Sequence, residues 1–147
     1  MREILFRGKR IDNGEWIQGF LVIWGNDYYI APDINAYTSM GGRGKGRCTM
    51  FGHYYQVLPE TIGQYTGLTD KNGKKIFEGD ILKIYEGSED DGYKIRKVYS
   101  YRGVLCVDYE TSEWDFNALA FLDSDNVFTF EVIGNIHDNP ELLEVTK

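Results

Sequence analysis

The segment QYTGLTDKNGKKIFEGDIL, residues 64–82, limits what this chain can fold into more than any other stretch. Asp70 stands at the first position of a type I turn and Gly73 at the fourth, where a left-handed residue closes a bulged hairpin. A two-residue loop on Asn72-Gly73 competes with it. That loop sets Lys71 across from Lys74, a like-charge pair that is destabilising by a few tenths of a kcal/mol. The bulged turn is therefore expected, with Asp70 facing Lys74 and Leu68 opposite Ile76, so that one face of the hairpin is apolar. Glu78-Gly79-Asp80 then interrupts the strand, and ILKIY starts another. Each of the acids Asp70, Glu78 and Asp80 has a backbone role here, favoured over a catalytic carboxylate cluster.

The rest of the chain carries more strand signals. EILFRGKR and EWIQGFLVIW flank a turn at Asp12-Asn13-Gly14, a second hairpin signature. DYYIA is a further strand, ended by Pro32, which has no N–H for a central ladder. Residues 35–52, with five glycines between Gly41 and Gly52, predict an exposed loop. HYYQVL is strand-like up to Pro59. DILKIYEG, YKIRKVYSY and GVLCVDYE follow, separated by the acidic turn SEDDG and by Arg102-Gly103. WDFNALAFL alternates, placing Trp114, Phe116, Ala118, Ala120 and Leu122 on one face. VFTFEVIG places either Phe128, Phe130 and Val132 inward or Val127 and Ile133 on the other side. Six or more short strands at near-even spacing predict a mainly β fold, either barrel-like or built of coiled antiparallel sheets. HDNPELLEV predicts a short C-terminal helix, with Asn139 as cap, Pro140 first and Glu141 at the positive end. The two Asn-Gly hairpins do not make a repeat, because their next glycines, Gly19 and Gly79, fall at different distances.

The 147 residues suit a single domain spanning 1–147, able to bury about two thirds of its unfolded surface. Within it a subdivision is expected between 1–60, with the Gly-rich loop, and a barrel-like part, 61–147. No apolar run approaches the roughly 20 residues that cross a bilayer, and MREILFRGKR lacks the long apolar core of a secretory signal. A cytoplasmic, non-membrane protein is expected. Cys48 and Cys106 stand far apart, as reduced thiols do. A net charge of −7 disfavours nonspecific nucleic-acid binding. It is unevenly spread, with seven basic against six acidic residues over 1–60, and nine against seventeen over 61–147. A local basic patch in the first part is compatible with that balance.

That patch is Arg43, Lys45 and Arg47, interleaved with glycine. GGRGKGRCT fails as a phosphate loop, because the Lys and hydroxyl positions hold Arg47 and Cys48. The three cations could instead track a nucleic-acid backbone, with Tyr54 and Tyr55 for stacking; a solvated loop is the simpler account. Metal sites and cofactors are not expected. Neither Cys48 with His53 nor Cys106 with His137 has structural-zinc spacing, and Glu86, Glu89, Asp90 and Asp91 lack the pattern of a calcium loop. Nucleophilic catalysis needs Ser or Cys near a His and an orienting acid, and His137 beside Asp138 supplies only the last two by sequence, in a segment that already caps the helix. Aromatics form 15% of the chain, which suits strands first and interfaces second. Tyr28, Tyr29, Tyr54 and Tyr55 are the candidates for burial between subunits, the alternative being a monomer whose loops cover its strand edges.

REILFRGK, VLPETIGQYTGLTDKNGKKIFEGDI and FEVIGNIHDNPELL, taken together, resemble the YopX family of small bacteriophage and prophage proteins. The resemblance spans nearly the whole chain. It implies a mostly β, barrel-like intracellular phage protein without established biochemical activity, of a family often thought to self-associate; an unknown host or phage protein is the further partner expected. The family supplies no catalytic residues, and none are assigned. Residues 24–56 and 86–112 match no pattern and are where specificity is expected. A non-enzymatic accessory protein acting through protein contacts is the favoured function; nucleic-acid binding through 41–47 is the alternative.

Overall fold

In a computed structural model of the chain, residues 3–32, 54–107, 117–118 and 128–144 are described. They divide into two units, Met1–Tyr65 and Thr66–Lys147. In the first unit, β1 (Phe6–Lys9) pairs antiparallel with β2 (Trp16–Trp24), matching Lys9 to Trp16. Arg10 and Glu15 close that hairpin: the Arg10 N–H donates to the Glu15 carbonyl at 2.9 Å, and Gly14, at φ 72°, donates to the Arg10 carbonyl. β2 continues into β3 (Asp27–Ala31) through Gly25-Asn26. Gly25 has φ 62° and Asn26 does not have positive φ, the pattern of a II′ turn. The two-residue β4 (Tyr55–Gln56) pairs with β3, and the first residues of β5 (Gly63–Thr69) pair with β1.

Two close approaches hold these strands. A β-carbon on Gly8 would meet Val57, which is fully buried, at 3.0 Å; one on Gly19 would lie 2.0 Å from the Ala31 carbonyl oxygen. Pro59–Thr61 forms a 3-10 turn beneath β1, where the buried Thr61 hydroxyl accepts from the Lys9 N–H at 2.9 Å and donates to the Leu58 carbonyl.

In the second unit β5 ends, and β6 (Lys75–Phe77) returns. The bulged turn expected at Asp70–Gly73 is present. The Asp70 N–H donates to the Lys74 carbonyl at 2.8 Å, the Gly73 N–H donates to the Asp70 carbonyl at 3.0 Å, and Gly73 has φ 81°. A five-stranded antiparallel sheet follows, adding β7 (Asp80–Glu86), β8 (Tyr93–Tyr101), β9 (Val104–Val107), β10 (Asn117–Ala118) and β11 (Phe128–Asn135) in the order β10-β9-β8-β7-β11. β8 and β9 join through Arg102-Gly103, both at positive φ as a I′ turn requires. Ile76, Leu82, Ile84, Val98, Val107 and Phe130 form the core, with Leu68, Phe128 and Val132 packed against it. Each such side chain is worth roughly 1.5–3 kcal/mol once buried. Of the two sets considered on β11, Phe128, Phe130 and Val132 is the one that meets the core.

Two expectations need correction. The sheet of the second unit is open, ending at β10 and β11, and the first-unit order ends at β4, so no closed barrel forms among the described residues. The C-terminal segment is a four-residue 3-10 turn, Pro140–Leu143, rather than an α-helix. Asn139 makes no cap hydrogen bond; its side-chain oxygen faces back toward the Asn135 N–H at 3.4 Å, and the turn closes on i to i+3 bonds. Of the alternating stretch at 114–122, only 117–118 lies within the described residues, as β10. Among the described residues no helix is long and apolar enough to cross a membrane.

Candidate functional site

The three acids of the 64–82 segment divide by what holds them. Asp70 is 7% exposed. One of its oxygens accepts the N–H groups of Asn72 and Lys74, each at 2.9 Å, and the other accepts the Val132 N–H of β11 at 3.0 Å. Burial alone pushes this carboxyl up, but the three N–H groups and the Lys74 charge outweigh it and hold it below the usual carboxylate value. Alongside, the Lys71 N–H donates to the Phe130 carbonyl at 2.9 Å. The hairpin tip thus satisfies polar groups on the outer edge of β11, which no other strand covers among the described residues. Asp80, almost fully buried, accepts the Phe77 N–H at 2.8 Å across the turn containing Gly79. Both buried carboxylates therefore bind backbone.

Above the tip, the Lys71 ammonium reaches Glu89 at 2.7 Å and Glu131 at 3.6 Å, and lies 5.1 Å from the Tyr85 ring centre. The Glu89 hydrogen bond raises its pKa above the ordinary lysine value. Burial, then the hydrogen bond to Glu131, pushes the Tyr85 phenol up. Asp138 serves the chain turn as well: its carboxylate accepts from the Asn135 amide at 3.2 Å, while the Asn135 oxygen accepts the N–H groups of His137 and Asp138. Cys106 is fully buried, its Sγ 3.4 Å from the Val104 carbonyl.

The four tyrosines singled out in the sequence do not act as one surface. Cross-strand partners share a face. Ile23 pairs with Tyr28, Trp24 with Asp27 and Val22 with Tyr29, so Tyr28 and Tyr29 lie on opposite faces of the β2–β3 hairpin. The Tyr55 ring carries the Arg10 guanidinium at 4.1 Å, and Arg10 is bound through two hydrogen bonds to Asp12. That contact holds Asp12 below its ordinary pKa. Tyr29 and Tyr54 do come together, with ring centres 6.3 Å apart and planes at 42°. With Trp24 and Asp27 they line a cleft of about 220 Å³. Trp24 and Asp27 were missed from the sequence; the Gly25-Asn26 turn signal that sets them opposite each other was available there. Arg43, Lys45 and Arg47 lie outside the described residues, as do Cys48 and His53. Among the described residues no three His, Cys, Asp or Glu side chains gather as metal ligands.

Open antiparallel sheets with tight glycine turns between strands, and with the carboxylates of Asp70 and Asp80 bound to backbone N–H groups, define a mainly β chain that exposes both aromatic and aliphatic side chains among the described residues. The YopX protein family model matches residues 6–144, and the chain belongs to the YopX family. Among solved structures it is similar to protein YopX from Bacillus subtilis, at 18% identity, TM-score 0.57 and coverage of 97% of this chain and 99% of that one. It is also similar to protein EF1440 from Enterococcus faecalis, at 20% identity and TM-score 0.51, with the same coverage. At these identities the likeness concerns the fold. A search of curated proteins finds no match.

Proposed function

We propose that this chain is a non-enzymatic accessory protein of a bacteriophage or prophage, working inside the host cell through protein–protein contacts and pairing with a copy of itself. Family membership supports the phage setting. One observation carries the mode of action: the end of the β2–β3 hairpin exposes large apolar side chains on both faces. Ile23 is 60% exposed on one face; Trp24, at 59%, and Phe20, at 42%, are on the other. Scattered exposed apolar residues are ordinary, but several within one strand suit a surface that is covered in use. Ile23 and its partner Tyr28 offer the face on which two copies meet, since aromatic and aliphatic anchors dominate such contacts.

Light scattering coupled to size-exclusion chromatography tests this. A mass of two or more chains is expected, reverting toward one chain in Ile23→Ser/Tyr28→Ser with an unchanged circular dichroism spectrum. A single-chain mass persisting at high micromolar concentration refutes self-association.

A further inference from the structure

We propose that the cleft lined by Trp24, Asp27, Tyr29 and Tyr54 binds a methylated ammonium head group. Among the described residues, three aromatic residues and one acid line this cleft of about 220 Å³. That is below the roughly 300–1,000 Å³ of a drug-sized pocket, so a head group is the fitting size of ligand. Aromatic faces are negative and attract cations, and a cage of Trp and Tyr with an acid alongside is the chemistry that retains a quaternary ammonium. Shape selects among cations. Tyr29 and Tyr54 are tilted by 42° with ring centres 6.3 Å apart, which is not the parallel arrangement between which a flat guanidinium stacks best.

Construction of the site follows from the hairpin. The II′ turn at Gly25-Asn26 sets Asp27 opposite Trp24, and two residues further along β3 the same face presents Tyr29. β4 pairs Gln56 with Tyr29, which brings in Tyr54 from two residues before Gln56. The cleft belongs to the first unit alone, and its face is opposite that of Ile23 and Tyr28, so its occupancy is independent of the self-association proposed above.

The head group could come from a free small molecule or from a trimethylated lysine of another protein. Titration followed at the Trp24 indole N–H resonance, assigned with Trp24→Phe, distinguishes them. Choline is expected to bind with a dissociation constant on the order of 1 mM, while its uncharged isostere, with carbon replacing nitrogen, shifts the resonance far less. A trimethyllysine peptide binding more tightly than choline assigns the site to a protein side chain; equal or weaker binding assigns it to the free molecule. Asp27→Asn, an exposed turn substitution that preserves the fold, should weaken choline about fivefold, as one exposed charge at contact distance does. Tyr29→Leu should weaken it further. The proposal is overturned by equal binding of choline and its isostere, by tighter binding of an arginine amide than of choline, or by unchanged affinity in Asp27→Asn and Tyr29→Leu.

Discussion

Replacing Asp70 with Ala removes one carboxylate that accepts three backbone N–H groups. A hydrogen bond to a charged group is worth about 1.5–3 kcal/mol, but the three losses are unequal. Asn72 and Lys74 are exposed, so water takes over much of what the carboxylate did for their N–H groups. Val132 is partly buried and lies within β11, and its N–H loses an acceptor that solvent replaces poorly. Together the change should lower stability by about 3 kcal/mol, which for a chain of this size is a drop of about 10 °C in Tm. Asp70→Asn should fall between the two proteins. Its carbonyl can retain both turn bonds, but its amide aims a donor at the Val132 N–H. Acid provides the second arm. The folded-state pKa of Asp70 is depressed, so its stabilisation is present above the unfolded-state value of about 3.8 and is lost as pH falls through the lower folded-state value. The gap between wild type and Asp70→Ala, followed by calorimetry or circular dichroism, should therefore be full at neutral pH and narrow in strong acid. A neutral-pH gap under about 1 kcal/mol, or one equally wide in acid, would refute the role given to this carboxylate.

Glycine substitutions should separate backbone strain from collision. Gly73→Ala meets no atom within 4 Å but sits at φ 81°, so it should lower stability by about 1 kcal/mol. Lys71→Ala, which loses a partly exposed ion pair, should change it by less than about 0.5 kcal/mol. Gly19→Ala drives a β-carbon into the Ala31 backbone and should be at least as damaging as Asp70→Ala; equal melting temperatures for Gly19→Ala and Gly73→Ala would contradict this. Cys106, fully buried in β9, should react with a thiol reagent only after unfolding, and labelling as fast as that of a free thiol in the native protein would place it elsewhere.

Local turn chemistry made much of the fold legible. The Asp70–Gly73 bulge, the Asn13-Gly14 turn and the Arg102-Gly103 turn each depend on residues within five positions of one another, and each occurs where the residue types demand it. Barrel closure depended instead on which distant edges meet, and alternation along a strand carries no such information. The helix expectation failed at Asn139, a good cap by type, whose oxygen is turned toward Asn135. For the candidate site, tyrosine content drew attention to β3 and to the residues around β4, but adjacent residues on a strand point to opposite faces. Tyr28 and Tyr29 were therefore grouped when the pleat separates them, and Trp24 and Asp27, which share a face with Tyr29, were left out.

The hydrogen bond from Val132 to Asp70 joins residues 62 positions apart, which has a consequence for the order of assembly during synthesis. The hairpin around Gly73 and the β7–β8–β9 meander connect neighbours in the chain, so their ordering entropy is small and they can form early. β11 is translated later, and until it arrives one edge of β7 has no partner strand, while the Asp70 carboxylate is left with only its two local donors. A nascent chain at that stage is at its most vulnerable to pairing with another copy along the open edge. β11 completes both at once, closing that edge of β7 and adding the third donor to Asp70.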